Sequence, residues 1–499
     1  MRVPLDRPEF LGSAALAASL AASPGAQAFA PGDPAAPSVT ARIVAFAMGT
    51  PFEALPPEVV HECRRYLIDA IGCGVAGHQT AKGRLAAAHA AAMGGGGKRG
   101  AHILGSKART DPAHAAFANG ELINALDYDA IPHVPPFLVP PLLAIAAREG
   151  SSGRELIRAL AVGTEIALRL ERNTSRMGAS IAATGKTPDV FGICNASIIA
   201  AAVGCAIVPK LDEARTANAL GLAAYFCAVP SSHAWETRAP KSMVKYSPVG
   251  ISCQNAVTAA LLGASGYTGD AEALDGPAGF PLFFAGLQWD DAALLTGLGE
   301  RWGVLGTQYK PYACCRFTHA EIDCLRTIIA QHAPAVEQIA EIRSLGIPFV
   351  ANPDMTHVRT QEDAQFSTHY VLALTALGIP LDASCQEPAY FRDPRVTALM
   401  ARITREVHPG ALAAKRSDPA TYLARVEVRL SDGRTFVEET RYPRGTVKSG
   451  FALSDAELFD KFKANLATRL SMPVINEALE RFRQFDALPN VRLLLSKLG

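Results

Sequence analysis

The 499-residue chain has no Cys-x-x-Cys pair, no run of basic residues and no internal repeat. Its one glycine run, Gly94 to Gly97, lacks the Gly-Lys-Ser/Thr ending of a phosphate-binding loop, which argues against nucleotide binding. Of the ten cysteines only Cys314 and Cys315 lie close together, and adjacent residues suit cluster ligation poorly, so any dehydratase chemistry would run without an iron–sulfur centre. Most of the others, such as Cys63, Cys73, Cys205 and Cys227, sit in apolar helical stretches and read as buried free thiols. Lys+Arg number 48 against Asp+Glu 47, so neither nucleic acid nor an anionic membrane has electrostatic support as a partner. Beyond the N-terminal stretch, no segment reaches the roughly 18 uninterrupted apolar residues of a membrane span.

What the chain does have is apolar mass. Hydrophobic residues make up 49% and charged residues 19%, which implies large buried cores, and the length implies two domains. The first 30 residues differ from the rest. Arg2 and Arg7 precede a small-apolar stretch from Leu11 to Ala22, and Ala26-Gln27-Ala28 fits a signal-peptidase site. Asp6 to Gly12 resembles a twin-arginine export motif with Pro8 at the second arginine position. Two readings stay open here: a leader that would make the protein periplasmic, or an extension of a cytoplasmic one.

Helical signals dominate from Pro56 to residue 285. Val59/Val60, Cys63, Leu67 and Ile71 recur at helical spacing after Pro56-Pro57, and Gly72, Gly74 and Gly77 read as the stop. Ser152-x-x-Glu155 reads as a capping box, Phe191 to Val208 as a helix buried on most sides, and Ala256 to Leu262 as another. Later, Arg425 to Leu430 alternates polar and apolar, and Asp432-Gly433 leads into Thr435-Phe436-Val437. That pattern predicts a hairpin in an antiparallel sheet with one wet face. Ser454-x-x-Glu457 predicts the start of a final helix.

Four segments concentrate groups able to do chemistry. Asp127-Tyr128-Asp129 follows an apolar helix; it offers either solvated aspartates or a general base tuned by a pocket. Lys241 to Gly250 places Lys245 before a buried helix, where the dipole favours an anion, although an ordinary surface lysine is the plainer reading. Lys310, Arg316 and His319 lie within ten residues and form an anion-binding constellation with a proton carrier. Their plain alternative is a loop-to-helix junction. Gln365 to Tyr370 precedes an apolar helix, with Tyr370 either a core residue or a donor to a carboxylate.

Taken in this order, these segments resemble the MmgE/PrpD family, which includes 2-methylcitrate dehydratase, cis-aconitate decarboxylase and an iminodisuccinate epimerase. The similarity runs from about Val39 to about Leu470, and is carried also by Leu67 to Cys73, Gly266-Tyr267-Thr268-Gly269 and Phe317 to Asp323. The resemblance implies a mainly α protein: a large all-helical domain, residues 34–285 together with 446–499, plus a smaller α+β lid domain, residues 286–445. It also implies a homodimer without metal or organic cofactor, acting on a small-molecule carboxylate at a site between the two domains. Carried onto this chain, its catalytic residues fall on Asp127, Lys245, His319 and Tyr370. Lys310, Arg316 and His133 are the expected substrate-binding residues. The chain departs from the family pattern at Ala130, at Ile131, at Val134-Pro135 where His-Pro is usual, and at Tyr246-Ser247-Pro248, where a second histidine is missing. His133, one residue before Val134, is the candidate replacement. The expected activity is a lyase of the dehydratase or decarboxylase type on a di- or tricarboxylate, starting with proton abstraction next to a carboxylate. Its alternatives are an isomerase or epimerase of a small dicarboxylate and a non-catalytic carboxylate-binding homologue.

Overall fold

The computed structural model describes residues 37–95, 97–175, 177–276, 278–285, 289–348 and 356–498. The leader-like segment, residues 1–30, lies outside them. The chain is mainly α with a smaller α+β portion. The principal helices of the first part are α1 (Val39–Gly49), α2 (Pro57–Ala76), α3 (Ala81–Met93), α4 (Pro112–Asn124), α5 (Pro135–Glu149), α6 (Gly153–Thr174), α7 (Ser197–Ile207), α8 (Glu213–Tyr225) and α9 (Val249–Ala264). Helix α6 starts at the expected capping box, with Ser152 and Glu155 each capping the other's backbone.

Two helix boundaries differ from the sequence expectation. Helix α2 does not stop at Gly72 or Gly74; it runs on to Ala76. Those glycines serve packing instead. A Cβ on Gly74 would lie 2.8 Å from Leu104, and one on Gly72 would lie 3.1 Å from Phe462. The helix expected from Phe191 begins only at Ser197, because the residues before it turn through Cys194 at a positive φ of 57°.

The smaller portion holds a four-stranded sheet. After α10 (His319–His332) come β1 (Ile339–Gly346), α11 (Thr368–Ala376), β2 (Ile403–Val407), β3 (Ala424–Leu430) and β4 (Thr435–Thr440). The spatial order is β2-β1-β3-β4. The expected hairpin is β3–β4, antiparallel, with Val428 opposite Phe436. Its partner β1 pairs antiparallel with β3 and parallel with β2. Every second residue of β3 is buried, while β4 alternates exposed and half-buried positions, so the sheet has one wet face. Helix α12 (Asp455–Ala467) begins at the Ser454–Glu457 capping box but is not the last, since α13 (Met472–Arg483) follows.

One continuous apolar core runs through both portions, from Val39 in α1 through Ile342 and Val426 in the sheet to Leu498. Helix α12 packs back on α2 and α10 packs on the sheet. All ten cysteines are free thiols, nine of them buried. No described helix is long and apolar enough to cross a membrane.

Candidate active site

Asp111 caps α4 by accepting from the amides of Ala113 and His114, and Pro112 sits in the first turn. The helix ends at Asn124, and three residues later the chain turns sharply. Asp127 has a φ of 52°, and Lys245, on the loop before α9, has a φ of 57°. Neither residue is glycine, so each conformation costs on the order of 1–3 kcal/mol and must be held by its surroundings.

The holding is visible at the backbone of the loop. The carbonyls of five consecutive residues each accept a hydrogen bond from a side chain far away in sequence. Lys245 donates to Asn124 (2.9 Å), Gln365 to Ala125 (2.7 Å), Gln386 to Leu126 (2.7 Å), Lys310 to Asp127 (2.7 Å) and Lys461 to Tyr128 (2.7 Å). Buried carbonyls left without donors would be expensive, and here each has one. Ala130, at a position where the family pattern has an aspartate, donates its amide to the buried Asp69 (3.0 Å), which also pairs with Lys461 (2.7 Å). Ile131 exchanges backbone hydrogen bonds with Gln308, and that bridge carries Lys310 to the loop.

The Asp127 carboxylate lies between two ammonium groups. Lys245 Nζ donates to its Oδ1 and Lys310 Nζ to its Oδ2, each at 2.8 Å. All three side chains are buried. Burial alone pushes the Asp127 carboxyl up, but Lys245, Lys310 and His133 more than reverse this and hold it well below the ordinary carboxylate range. The lysines diverge. Burial keeps Lys245 below its usual value, whereas in Lys310 the attraction of Asp127 and Asp129 outweighs burial and raises it.

Around this clamp lies a second layer. Tyr246 places its hydroxyl 3.4 Å from Asp127 Oδ1 and accepts from Asn124 Nδ2 (2.8 Å); Lys82 donates to Asn124 Oδ1 (3.3 Å) and pairs with Glu121 (2.8 Å). His133 pairs with the fully buried Asp129 (2.7 Å), and its ring lies 5.2 Å from that of Tyr246. It therefore reaches the neighbourhood of Asp127 through Tyr246 and Asp129.

The other expected residues are placed differently. The hydroxyl of Tyr370 donates to the Cys385 carbonyl (2.6 Å), and the residue is fully buried against Phe391. It supports the segment carrying Gln386 and joins none of the described hydrogen bonds of Asp127. Arg316 commits its guanidinium to the 443–446 segment, donating to the Arg444 carbonyl (2.6 Å) and Thr446 Oγ1 (2.7 Å). It also lies 3.3 Å from His319 Nδ1. His319 is fully buried, with Nε2 3.2 Å from the Cys314 carbonyl. Burial and the charges of Arg316 and Lys310 push its pKa well down, so it is a neutral imidazole.

The structure thus brings together Asp127, Lys245 and Lys310, which the sequence singles out, and surrounds them with Lys82, Asn124, Tyr246, Gln386, Asp69 and Lys461, which it does not. Two of these carried a signal. Asp69 stands inside the apolar run Leu67-Ile68-Asp69-Ala70-Ile71, and Lys461 shares the buried face of α12 with Leu458 and Asn465. A charge on a buried helix face demands a partner.

The fold and site define a mainly helical protein with a small mixed sheet and a buried carboxylate held by two lysines. Residues 41–290 match the MmgE/PrpD N-terminal domain and residues 312–481 the MmgE/PrpD C-terminal domain, so the chain belongs to the MmgE/PrpD family. It is similar to the cis-aconitate decarboxylase of Homo sapiens, 22% identical over 464 residues (89% of this chain, 91% of the relative). It is also similar to a cis-aconitate decarboxylase-like protein of Aspergillus oryzae, 25% identical over 459 residues (86% and 89%). The cis-aconitate decarboxylase of Mus musculus is 23% identical over 404 residues (77% and 78%).

Proposed function

We propose that this protein is a lyase acting on a small di- or tricarboxylate, with the carboxy-lyase branch better supported than the hydro-lyase one. The observation that carries the proposal is the buried Asp127 held between Lys245 and Lys310. Two ammonium groups share the Asp127 carboxylate with little water to screen them, which offers an incoming anion two cationic partners. A substrate carboxylate that takes the lysines as partners frees Asp127 from them. Burial then dominates, the Asp127 carboxyl rises, and it becomes able to take a proton from carbon. The same ammonium groups stabilise the negative charge that develops on the substrate.

A hydro-lyase needs an acid for the departing hydroxide, and the hydroxyl of Tyr370, one of the expected catalytic residues, is bound to the Cys385 carbonyl instead. A carboxy-lyase takes no proton from carbon, so the base role of Asp127 belongs to the hydro-lyase and isomerase branches. The bond to the carboxylate breaks, carbon dioxide leaves, the bonding pair stays on carbon, and one proton returns there. In this reading Lys245, whose pKa burial lowers, supplies it. The decarboxylase names of the relatives point the same way.

The test is proton NMR of the full chain with cis-aconitate, citrate and 2-methylcitrate in heavy water. Loss of carbon dioxide with solvent deuterium in the product is the expected result. In Lys245→Ala the rate falls on the order of 10³-fold. Deuterium exchange without bond cleavage would make the protein an isomerase, and silence from folded protein across the acids would remove the lyase reading.

A further inference from the structure

The clamp is shut: Asp127, Lys245, Lys310 and His319 are each 1% exposed or less. A cavity of about 370 Å³ lies beside it, lined from four separate stretches: Gln79 to Arg84, Lys241 to Met243, Arg359 to Glu362 and Ala383 to Arg392. That volume falls within the roughly 300–1,000 Å³ of small-molecule sites. Two larger cavities, one around Phe283 and one around Tyr442, are lined by no residue that donates to the Asn124–Tyr128 carbonyls.

The wall between the cavity and the clamp is about one side chain thick. Gln386 lines the cavity, while its Nε2 donates to the Leu126 carbonyl, next to Asp127, and to the Ala313 carbonyl (both 2.7 Å). Its Oε1 accepts from Gln365 (2.8 Å) and Gln361 (3.2 Å). Glu362 lines the same cavity, is nearly buried, and feels the charges of Lys82 and Lys245.

The lining carries Arg84, Lys241, Arg359 and Arg392 against the carboxyls of Glu362 and Glu387. Lys241 is 4% exposed, and the carboxyls of Glu236 and Asp363 act on its ammonium only from beyond contact. It donates to the carbonyls of Glu236 (2.9 Å) and Trp235 (3.4 Å) and lies 4.2 Å from the centre of the Trp235 ring. Among the described residues no carboxylate is within ion-pair distance of it. A buried ammonium with no carboxylate at ion-pair distance, on the wall of a cavity lined by arginines, is a place for an anion.

We infer that this cavity is the vestibule of the active site and binds a carboxylate of the substrate remote from the reacting carbon, through Lys241, Arg84 and Arg392. The inference rests on the proposed action on a polycarboxylate. It makes these three residues determinants of the choice between tri- and dicarboxylates.

The test is calorimetric binding of tricarballylate, a saturated tricarboxylate, and of succinate to the full chain. The variants are Arg84→Gln/Arg392→Gln, at exposed positions, and separately Lys241→Gln. Tricarballylate affinity should fall about tenfold or more in the arginine variant, with succinate affinity changed by less than about twofold. Unchanged tricarballylate binding there, or equal losses for both acids, would overturn the vestibule. Because Lys241→Gln alters a buried site, its result counts only where its thermal unfolding matches that of the parent protein. Lys245→Ala separates the two readings. If no acid is turned over but tricarballylate still binds to Lys245→Ala in an Arg392-dependent way, the lyase reading fails and the vestibule stands.

Discussion

Asp127 keeps its charge because of lysines rather than water, and that makes the pair-by-pair balance unequal. Removing Lys310 leaves a fully buried carboxylate with half of its counter-charge and takes away the donor to the Asp127 carbonyl. Lys310→Met should therefore lower stability by about 3–5 kcal/mol in chemical denaturation. Adding Asp127→Asn to it should recover part of that loss, since the uncompensated charge goes with it. A double variant no more stable than the single one would show that the cost lies in the loop backbone rather than in the charge. A second titratable group reports through pH. Burial raises the carboxyl of Glu236, at 6% exposure, from 4.5 to about 7, with Lys241 opposing the shift. A folded value above the unfolded one means that its stabilising contribution is whole below pH 4.5 and is lost as pH rises through about 7. Relative to Glu236→Gln, the parent protein should thus lose about 3 kcal/mol of unfolding free energy across that window. Parallel curves for the two proteins would show that Glu236 is already ionised in the folded state.

Local rules were legible at the level of elements. The capping boxes at Ser152 and Ser454 and the hairpin at Asp432-Gly433 are set by neighbouring residues, and they stand where the sequence puts them. Strands β1 and β2 were not foreseen, because their pairing depends on segments over 60 residues apart, with Ile342 opposite Ile403. The glycines of α2 were misread for a related reason. A glycine that lets two helices touch looks in sequence like one that ends a helix. Gly77, which does end α2, makes such a contact too: a Cβ there would lie 2.1 Å from the Leu122 carbonyl oxygen on α4. Gly77→Ala must push α4 away or unwind the end of α2, so a thermal midpoint several degrees lower is expected. An unchanged midpoint would mean that α4 shifts at little cost. In the site, Asp127, Lys245 and Lys310 were readable as charges near apolar helices. Gln386 was not, because nothing local distinguishes a glutamine that bonds a carbonyl 260 residues away from one facing solvent.

For the molecule as a whole, the continuous core implies that the helical part and the sheet part melt together. Calorimetry of the full chain should give a single transition whose van't Hoff and calorimetric enthalpies agree. Two resolved transitions would show that the shared core is thinner than its residue content suggests. The five side-chain donors on the loop after α4 have a kinetic meaning as well. They come from positions 121 to 333 residues further along the chain. Loops of that size close slowly, and the reward arrives only after the ordering entropy has been met. The turn at Asp127 would therefore be completed late on the folding path, so that catalytic competence marks the arrival of the last long-range contacts. A folding intermediate could hold most of its helices and still have no active site.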